Sequence, residues 1–540
     1  MVLIILTGYL SINRLMESTI LNSSGNNEPL IGSDKITKVF MFKRYDKNNF
    51  NLTILPLSIF VSGYVLYTLY AYGFHAVYRD HTEPAVAFRA WMLLKEGASS
   101  LYLTEDSDLY LLNHYGPMTY ILGAISQFLF GPSILASKLP NFAATVLSIL
   151  FFATFVYRRY GANYVPVAVL ILNCFILFTA PAYLMVKTDS MVLMLITFSL
   201  LATTFDQKGQ RSWLPPLLIA ITVGISVNLK VFSFIFFVPV AIFYCRQRWM
   251  MTWPIMALIS VIVFAVPFVF FEFSFLNYMN SLLSISAVRS LDFGQLPIAL
   301  RYSLVFMISI LPLVIAGFLG RIERDDLLYF GLFVLFYALS MYFLLIAGRL
   351  KYDMFFFPVA LDLLIRFIKA LEPYRKIHTS IIAFVCIGFL IVMVTPQKRM
   401  LRAFDSDRWM LDAATEVSKI INDESAKTIE MGYGSDIART YRASFAKPLL
   451  AFVGNRMIVD GHSDVERDFA GLPMNQAKTD YIRQCRTDLW LIPKGEEPFT
   501  LESYYQDKLR HIFSDDFRAA FLAIYEKQES RNFFDIWKCK

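Results

Sequence analysis

From Leu52 to about Val394 the sequence is a succession of apolar runs, most of them near the twenty residues that carry a helix across a bilayer, separated by short charged turns. A chain built this way has to satisfy its backbone inside the membrane, and helices are the way a linear segment does so. Composition agrees. Of 540 residues 56% are hydrophobic and only 17% charged, with a mean hydropathy of +0.50, which excludes a soluble globular protein. The formal net charge of +7 sits in short loops and is not interleaved with stacking aromatics, so it informs topology and excludes a nucleic-acid surface.

One stretch breaks the pattern. Tyr78 to Tyr120 is a long hydrophilic insert rich in carboxylates, histidines and aromatics, placed after the first convincing span at about Leu52 to Tyr72. Before that span, MVLIILTGYL is too short to cross and has no basic n-region, so it does not read as a signal peptide. The polar SSGNNEPLIGSDK reads as disordered, and Lys35, Lys38, Lys43, Arg44 and Lys47 assign the N-terminus to the cytoplasm. The insert then faces outward. It reads as two helices lying along the membrane. One starts at Pro84, with Arg89 and Glu96 on a polar face and Trp91, Met92 and Leu93 toward the bilayer; the other, about Pro117 to Phe130, is short of a full span.

With that choice the basic ends YRRY, DQKGQR, CRQRW, GRIERDD and YRKIHTS all fall on the cytoplasmic side, while MVKTDS, the Glu272–Asp292 segment and GRLKYD fall outside. The expected architecture is a polytopic α-helical membrane protein of about eleven spans. Its parts are a cytoplasmic segment (1–50), a transmembrane domain (51–399) with a first outer loop at 73–132, and a soluble C-terminal segment (400–540). That last segment, with strand-like pieces LLAFV, RMIVD and DLWLIP, suits a small α/β or α+β domain outside the membrane. No repeat of 20 to 50 residues is visible. The five cysteines have no metal-ligand spacing, and a Cys485–Cys539 disulfide is compatible with the sequence without being dictated by it.

The candidate chemistry lies on the outer side. Asp80 and Glu83 are three residues apart and can share one helical face; either could act as general base, or both could cap the helix that follows. His114, Tyr115, Gly116 and Pro117 close the insert, where a plain loop-to-helix junction is the alternative. Lys187 and Asp189 form a turn in which Asp189 could equally be a cap. Lys230, between two apolar runs in SVNLKVFSF, needs an anionic partner or must snorkel to the headgroups. Arg349 and Lys351 place cations outside, against the usual bias. Carboxylates and cations at headgroup level suit group transfer from a lipid-phosphate donor.

At these residues the chain resembles the C-type-fold (GT-C) integral membrane glycosyltransferases that use polyprenyl-phosphate sugars, within them the group of protein O-mannosyltransferases and aminoarabinose lipid A transferases. The resemblance rests on RDHTEPAVAFRAWMLLKEG, HYGPMTYILGAISQFLFG, LASKLPNFAATVLSILFF, APAYLMVKTDSMVLMLITF, VGISVNLKVFSFIFFVP and GRLKYDMFFFPVALDLL, in the family's order over about residues 55–370. It implies juxtamembrane helices in the first outer loop and a metal-independent inverting transfer. In it Asp80 and Glu83 serve as the acidic pair, and Lys187, Asp189, Lys230, Arg349 and Lys351, with His114 and Tyr115, lie near the carrier phosphate or substrate. No cofactor is implied, and a divalent metal stays open. The family's acidic residues are adjacent, whereas here they are separated by His81 and Thr82. Counting back from Gly97, Glu83 takes the second acidic position and Asp80 is displaced; the expected base is Asp80, with Glu83 orienting or sharing the role.

The expected partners are a polyprenyl-phosphate-sugar donor, a lipid, glycan or protein acceptor, and membrane lipids, with no nucleic acid. A transporter or flippase of lipid-linked saccharides is the rival class, and a ligase of preformed glycans a further one. The sequons at Asn22 and Asn51 fall on the cytoplasmic side and none falls in the C-terminal segment, favouring a bacterial inner membrane with the site facing the periplasm over the endoplasmic reticulum.

Overall fold

A computed structural model of the chain describes residues 49–73, 78, 82–103, 113, 115–179, 185–206, 212–246, 250–287, 296–347, 352–406, 408–435, 445–503 and 510–540. The expectations for residues 1–48, and for Asp80, His114, Arg349 and Lys351, lie outside these.

Among the described residues fifteen α-helices follow one another before any strand. The first span is α1 (Asn49–Gly73); the loop helices are α2 (Thr82–Glu96) and α3 (Pro117–Phe130). Then come α4 (Ile134–Tyr160), α5 (Val165–Thr179), α6 (Asp189–Ala202), α7 (Leu214–Leu229), α8 (Val238–Cys245), α9 (Thr252–Phe270), α10 (Phe275–Ala287), α11 (Leu296–Phe318), α12 (Arg324–Ala347), α13 (Phe357–Ala370) and α14 (Arg375–Ser406). Local punctuation explains several ends. Gly116 precedes Pro117 at the first turn of α3, where the missing N–H costs nothing. Ser133 caps α4 by accepting from Ala136 N–H (3.0 Å). Gly161, at φ 98°, ends α4 just after Arg158 and Arg159, whose charge suits a helix C-terminus.

Among the described residues six helices are long and apolar enough to cross a membrane: Ile54–Gly73, Ile134–Tyr160, Ala162–Thr179, Thr252–Phe270, Arg324–Tyr342 and Arg375–Val394. Pro117–Phe130, Asp189–Phe205, Leu214–Leu229 and Val231–Cys245 are apolar but shorter. Residues 214–245 divide at Lys230. A helix stops at Lys230, a 3-10 turn covers Val231–Phe236, and an eight-residue helix resumes at Val238.

One large apolar core, including Phe152, Phe155, Leu172, Ile196, Leu229, Phe236, Phe357 and Phe389, holds the bundle, with α4 against α6, α7 against α9 and α5 against α14. At the far end of α4, about 40 Å from its start at 1.5 Å per residue, the buried Asp362 of α13 accepts hydrogen bonds from Tyr160 and Tyr244 (2.8 Å for the latter). Arg366 donates to Asp326 at 2.8 Å beside it. The sequence reading did not single out this cluster, which ties four helices together.

Helix α15 (Arg408–Asp423) is amphipathic: Met410, Ala413, Ala414, Val417 and Ile420 are buried at helical spacing. It packs on the core under a four-stranded sheet of β1 (Ile429–Met431), β2 (Leu489–Pro493), β3 (Tyr525–Ser530) and β4 (Phe534–Cys539), ordered β1-β2-β4-β3. β1 and β2 are parallel, and a parallel pair needs a crossover. The crossover carries α16 (Lys447–Phe452), α17 (Gly461–Phe469) and α18 (Gln476–Arg483). β2, LWLIP, is buried at every residue, as a central strand covered on both faces must be. Helix α19 (Asp515–Ile524) and Trp490, Phe499, Phe513 and Phe521 close the other side.

Burial dominates two ionisable groups here. It pushes the Glu430 carboxyl up to about 8 and the Lys447 ammonium down to about 8. Folded Glu430 keeps a proton that the unfolded chain sheds above 4.5, so its contribution to stability is lost as pH rises from 4.5 to about 8. Lys447 works oppositely, with stability rising from about 8 to 10.5. The expected melting temperature of this segment therefore falls from pH 5 to 8, and Glu430→Gln flattens that fall. Calorimetry of the two proteins checks it; an unchanged slope contradicts the assignment.

Candidate active site

The loop helices and the adjacent ends of α1, α4, α6 and α7 meet in one polar region. Glu83 opens α2 and is 0% exposed. Its Oε2 accepts from the hydroxyl of Tyr72, at the end of α1, and from the N–H of Val186 (2.9 Å). Glu83 is thus enclosed by donors from the bundle. Lys138 of α4, also 0% exposed, donates to the carbonyl of Tyr72 (3.0 Å) and lies over the Tyr72 ring at 4.2 Å. Tyr78 hydrogen-bonds Ser137 at 2.8 Å.

The turn 185–188 is held from two sides. Asn141 Nδ2 donates to the carbonyls of Met185 and Lys187, both at 2.6 Å, while Val186 N–H reaches Glu83. This fixes the start of α6, where Asp189, largely buried, pairs with Lys230 at the end of α7. The Lys230 ammonium also lies 5.2 Å from the Phe355 ring centre, on the 3-10 turn Tyr352–Phe356. Of the two alternatives for Lys230, an anionic partner or snorkelling, the structure has the partner, and it is a protein carboxylate. Lys187 is half-buried and lines a narrow cavity with Val86, Thr119, Gln127 and Asn141.

Gly116 explains how the HYGP stretch joins this region. Its N–H donates to the Leu229 carbonyl (3.3 Å), and a Cβ there would overlap the backbone carbonyl of Asn228. The glycine is needed for close backbone approach rather than for an unusual φ. Tyr115 is buried beside it, its carbonyl accepting from Tyr102 (2.8 Å), and Tyr120 donates to Asn113. Gly116→Ala has to push α3 off α7; the expected cost is about 2 kcal/mol, read as a lowered unfolding midpoint in detergent. An unchanged midpoint contradicts the close approach.

Of the residues proposed from sequence, Glu83, Tyr115, Lys187, Asp189 and Lys230 are brought into this one region by a continuous set of backbone and side-chain contacts. Asp80, His114, Arg349 and Lys351 are outside the described residues. Lys138, Asn141 and Tyr72 were missed, although a lysine within an apolar helix carries the same signal that singled out Lys230. Trp91 and Met92, expected toward the bilayer, find protein partners: half-buried Trp91 donates its Nε1 to the Ala451 carbonyl (2.8 Å) and buried Met92 packs with Phe88, Ala451 and Met457. Of the polar face expected for α2, Arg89 is buried and faces Asp460, whereas Glu96 is exposed. Among the described residues no group of three or more His, Cys, Asp or Glu could hold a metal ion.

The chain resembles known proteins in two respects. Residues 114–282 match the family model of the dolichyl-phosphate-mannose-protein mannosyltransferases. The fold is similar to that of ArnT from Cupriavidus metallidurans. With the apo structure the TM-score is 0.50, and with the structure bound to undecaprenyl phosphate it is 0.54; each has 12% identity and covers 81% of this chain and 93% of that one. No curated protein sequence matches the chain. The matched residues contribute Tyr115, Lys138, Asn141, Lys187, Asp189 and Lys230 to the region above, and the fold of the chain is ArnT-like.

Proposed function

We propose that this protein transfers a sugar from a polyprenyl-phosphate-linked donor to an acceptor hydroxyl on the outer face of the membrane, with inversion at the anomeric carbon. The observation that carries the reading is the gathering of Glu83, Lys138, Lys187, Asp189 and Lys230 at one end of a GT-C-type bundle, within and beside the stretch that matches the mannosyltransferase model. In this reading the Asp80 carboxylate takes the proton of the acceptor hydroxyl as its oxygen attacks the anomeric carbon. The bond from that carbon to the phosphate oxygen breaks, and the polyprenyl phosphate leaves with the electron pair. Glu83, its Oε2 occupied by two donors, anchors the loop and is not set to receive that proton. Lys187 and Lys230, with Arg349 and Lys351, are the cations that stabilise the departing phosphate charge.

The outer placement is supported by the Cys485–Cys539 disulfide (Cα–Cα 6.2 Å), a bond that persists in oxidising compartments. The sequon positions favour a bacterial inner membrane, in which residues 400–540 form a periplasm-facing C-terminal domain. Binding of undecaprenyl phosphate to the purified protein in nanodiscs tests the donor site. The expected result is saturable binding that Lys187→Gln weakens about tenfold; absence of saturable binding by the wild type overturns the reading.

A further inference from the structure

Charged side chains are packed almost without solvent between α2 and the segment that carries α16 and α17. Arg89, near the middle of α2, is 3% exposed and Asp460 is 2% exposed, and they pair at 3.5 Å across 371 residues of sequence. Asp460 in turn caps α17, accepting from Ser463 N–H (3.2 Å), while its own N–H donates to Asp464 (2.9 Å). Asp464 pairs with Lys478 (3.2 Å) and Arg467 (3.6 Å), and both partners are buried. A line of buried charge thus runs from the loop helix into the interior of the C-terminal segment, with the two carboxylates Asp460 and Asp464 linked through the Asp460 N–H and flanked by cations.

Such burial is a poor way to gain stability, since apolar groups of the same volume do as well or better. What directed pairs add is register. The apolar contacts among Phe88, Met92, Ala451 and Met457 tolerate sliding of α2, whereas the Arg89–Asp460 pair and the bond from Trp91 Nε1 to the Ala451 carbonyl (2.8 Å) do not. The first turn of α2 carries Glu83, and its bonds to Tyr72 and Val186 depend on where that helix lies.

We propose that Arg89 and Asp460 are positioning residues, through which the C-terminal segment sets the register of the loop helix against the bundle end. Its consequence for turnover rests on the transferase reading; the register itself does not. Hydrogen exchange on the purified full chain tests it. Arg89→Gln and Asp460→Asn are each expected to raise exchange of amides 85–96 about tenfold while β2 and β4 stay protected, and the double variant to add nothing further. Exchange in the double equal to the product of the singles, or no change in either, overturns the proposal. Where Asp460→Asn also unprotects β2 and β4, Arg89→Gln decides alone: a rise confined to 85–96 supports the register, and none overturns it.

On a donor that the wild type cleaves, Arg89→Gln is expected to lower kcat about a hundredfold at a KM changed by less than about twofold. A raised KM with kcat intact makes Arg89 a substrate ligand and overturns the positioning role. Coupled exchange in a protein that cleaves no lipid-linked sugar keeps the register and removes the transferase reading; uncoupled exchange in an active enzyme does the reverse.

Discussion

Asp80→Asn is expected to lower sugar transfer by a factor of about 10² to 10⁴, the range that a positioned general base contributes, with no change in the unfolding midpoint. Glu83→Gln should behave differently. Its carboxylate is enclosed and receives the Tyr72 hydroxyl and the Val186 N–H on one oxygen. Replacing a buried, charge-assisted acceptor by a neutral amide costs about 1.5 to 3 kcal/mol, so this variant should lose stability along with activity. Turnover and calorimetry on both variants separate the roles. If Glu83→Gln melts like the wild type and abolishes turnover while Asp80→Asn stays active, the assignments of base and anchor are reversed.

The second large effect belongs to Lys230 and Asp189. Both are largely buried and paired. Lys230→Met strands the Asp189 carboxylate in a site of low polarity, a change that costs about 3 to 5 kcal/mol. Replacing both, as Lys230→Met with Asp189→Leu, removes the stranded charge and should recover most of that loss. Recovered stability without recovered activity is the signature of a lysine that also meets the departing phosphate. Recovery of both leaves the pair a structural one.

Much of the bundle end was legible in the sequence because glycine and proline mark it. Gly97, Gly116, Pro117 and Gly131 bracket the loop helices, and the structure places these at Thr82–Glu96 and Pro117–Phe130, close to where the residues alone put them. Lys230 was legible for a different reason: a cation between apolar runs demands a partner. Which partner it finds was not, because Asp189 lies 41 residues away and comes to Lys230 through the packing of α6 on α7.

The environment of α2 was misread for the same physical reason. Trp91 and Met92 next to Leu93 look lipid-facing when their partners, Ala451 and Met457, are some 360 residues distant. Amphipathicity reports that a face is buried and not what covers it. The break at Lys230 was legible too, and the structure adds its form: a helix, a 3-10 turn and a short helix.

The central claim is that this site breaks a sugar–phosphate bond on a lipid carrier. The most direct test is to incubate the purified protein with undecaprenyl-phosphate-linked mannose, glucose, galactose and aminoarabinose, each radiolabelled in the sugar, and to follow release or transfer of label. The predicted result is cleavage of at least one donor by the wild type and its loss in Asp80→Asn. Every donor left intact, with reconstituted vesicles instead carrying a labelled lipid saccharide across the bilayer, would contradict the claim and make the protein a flippase.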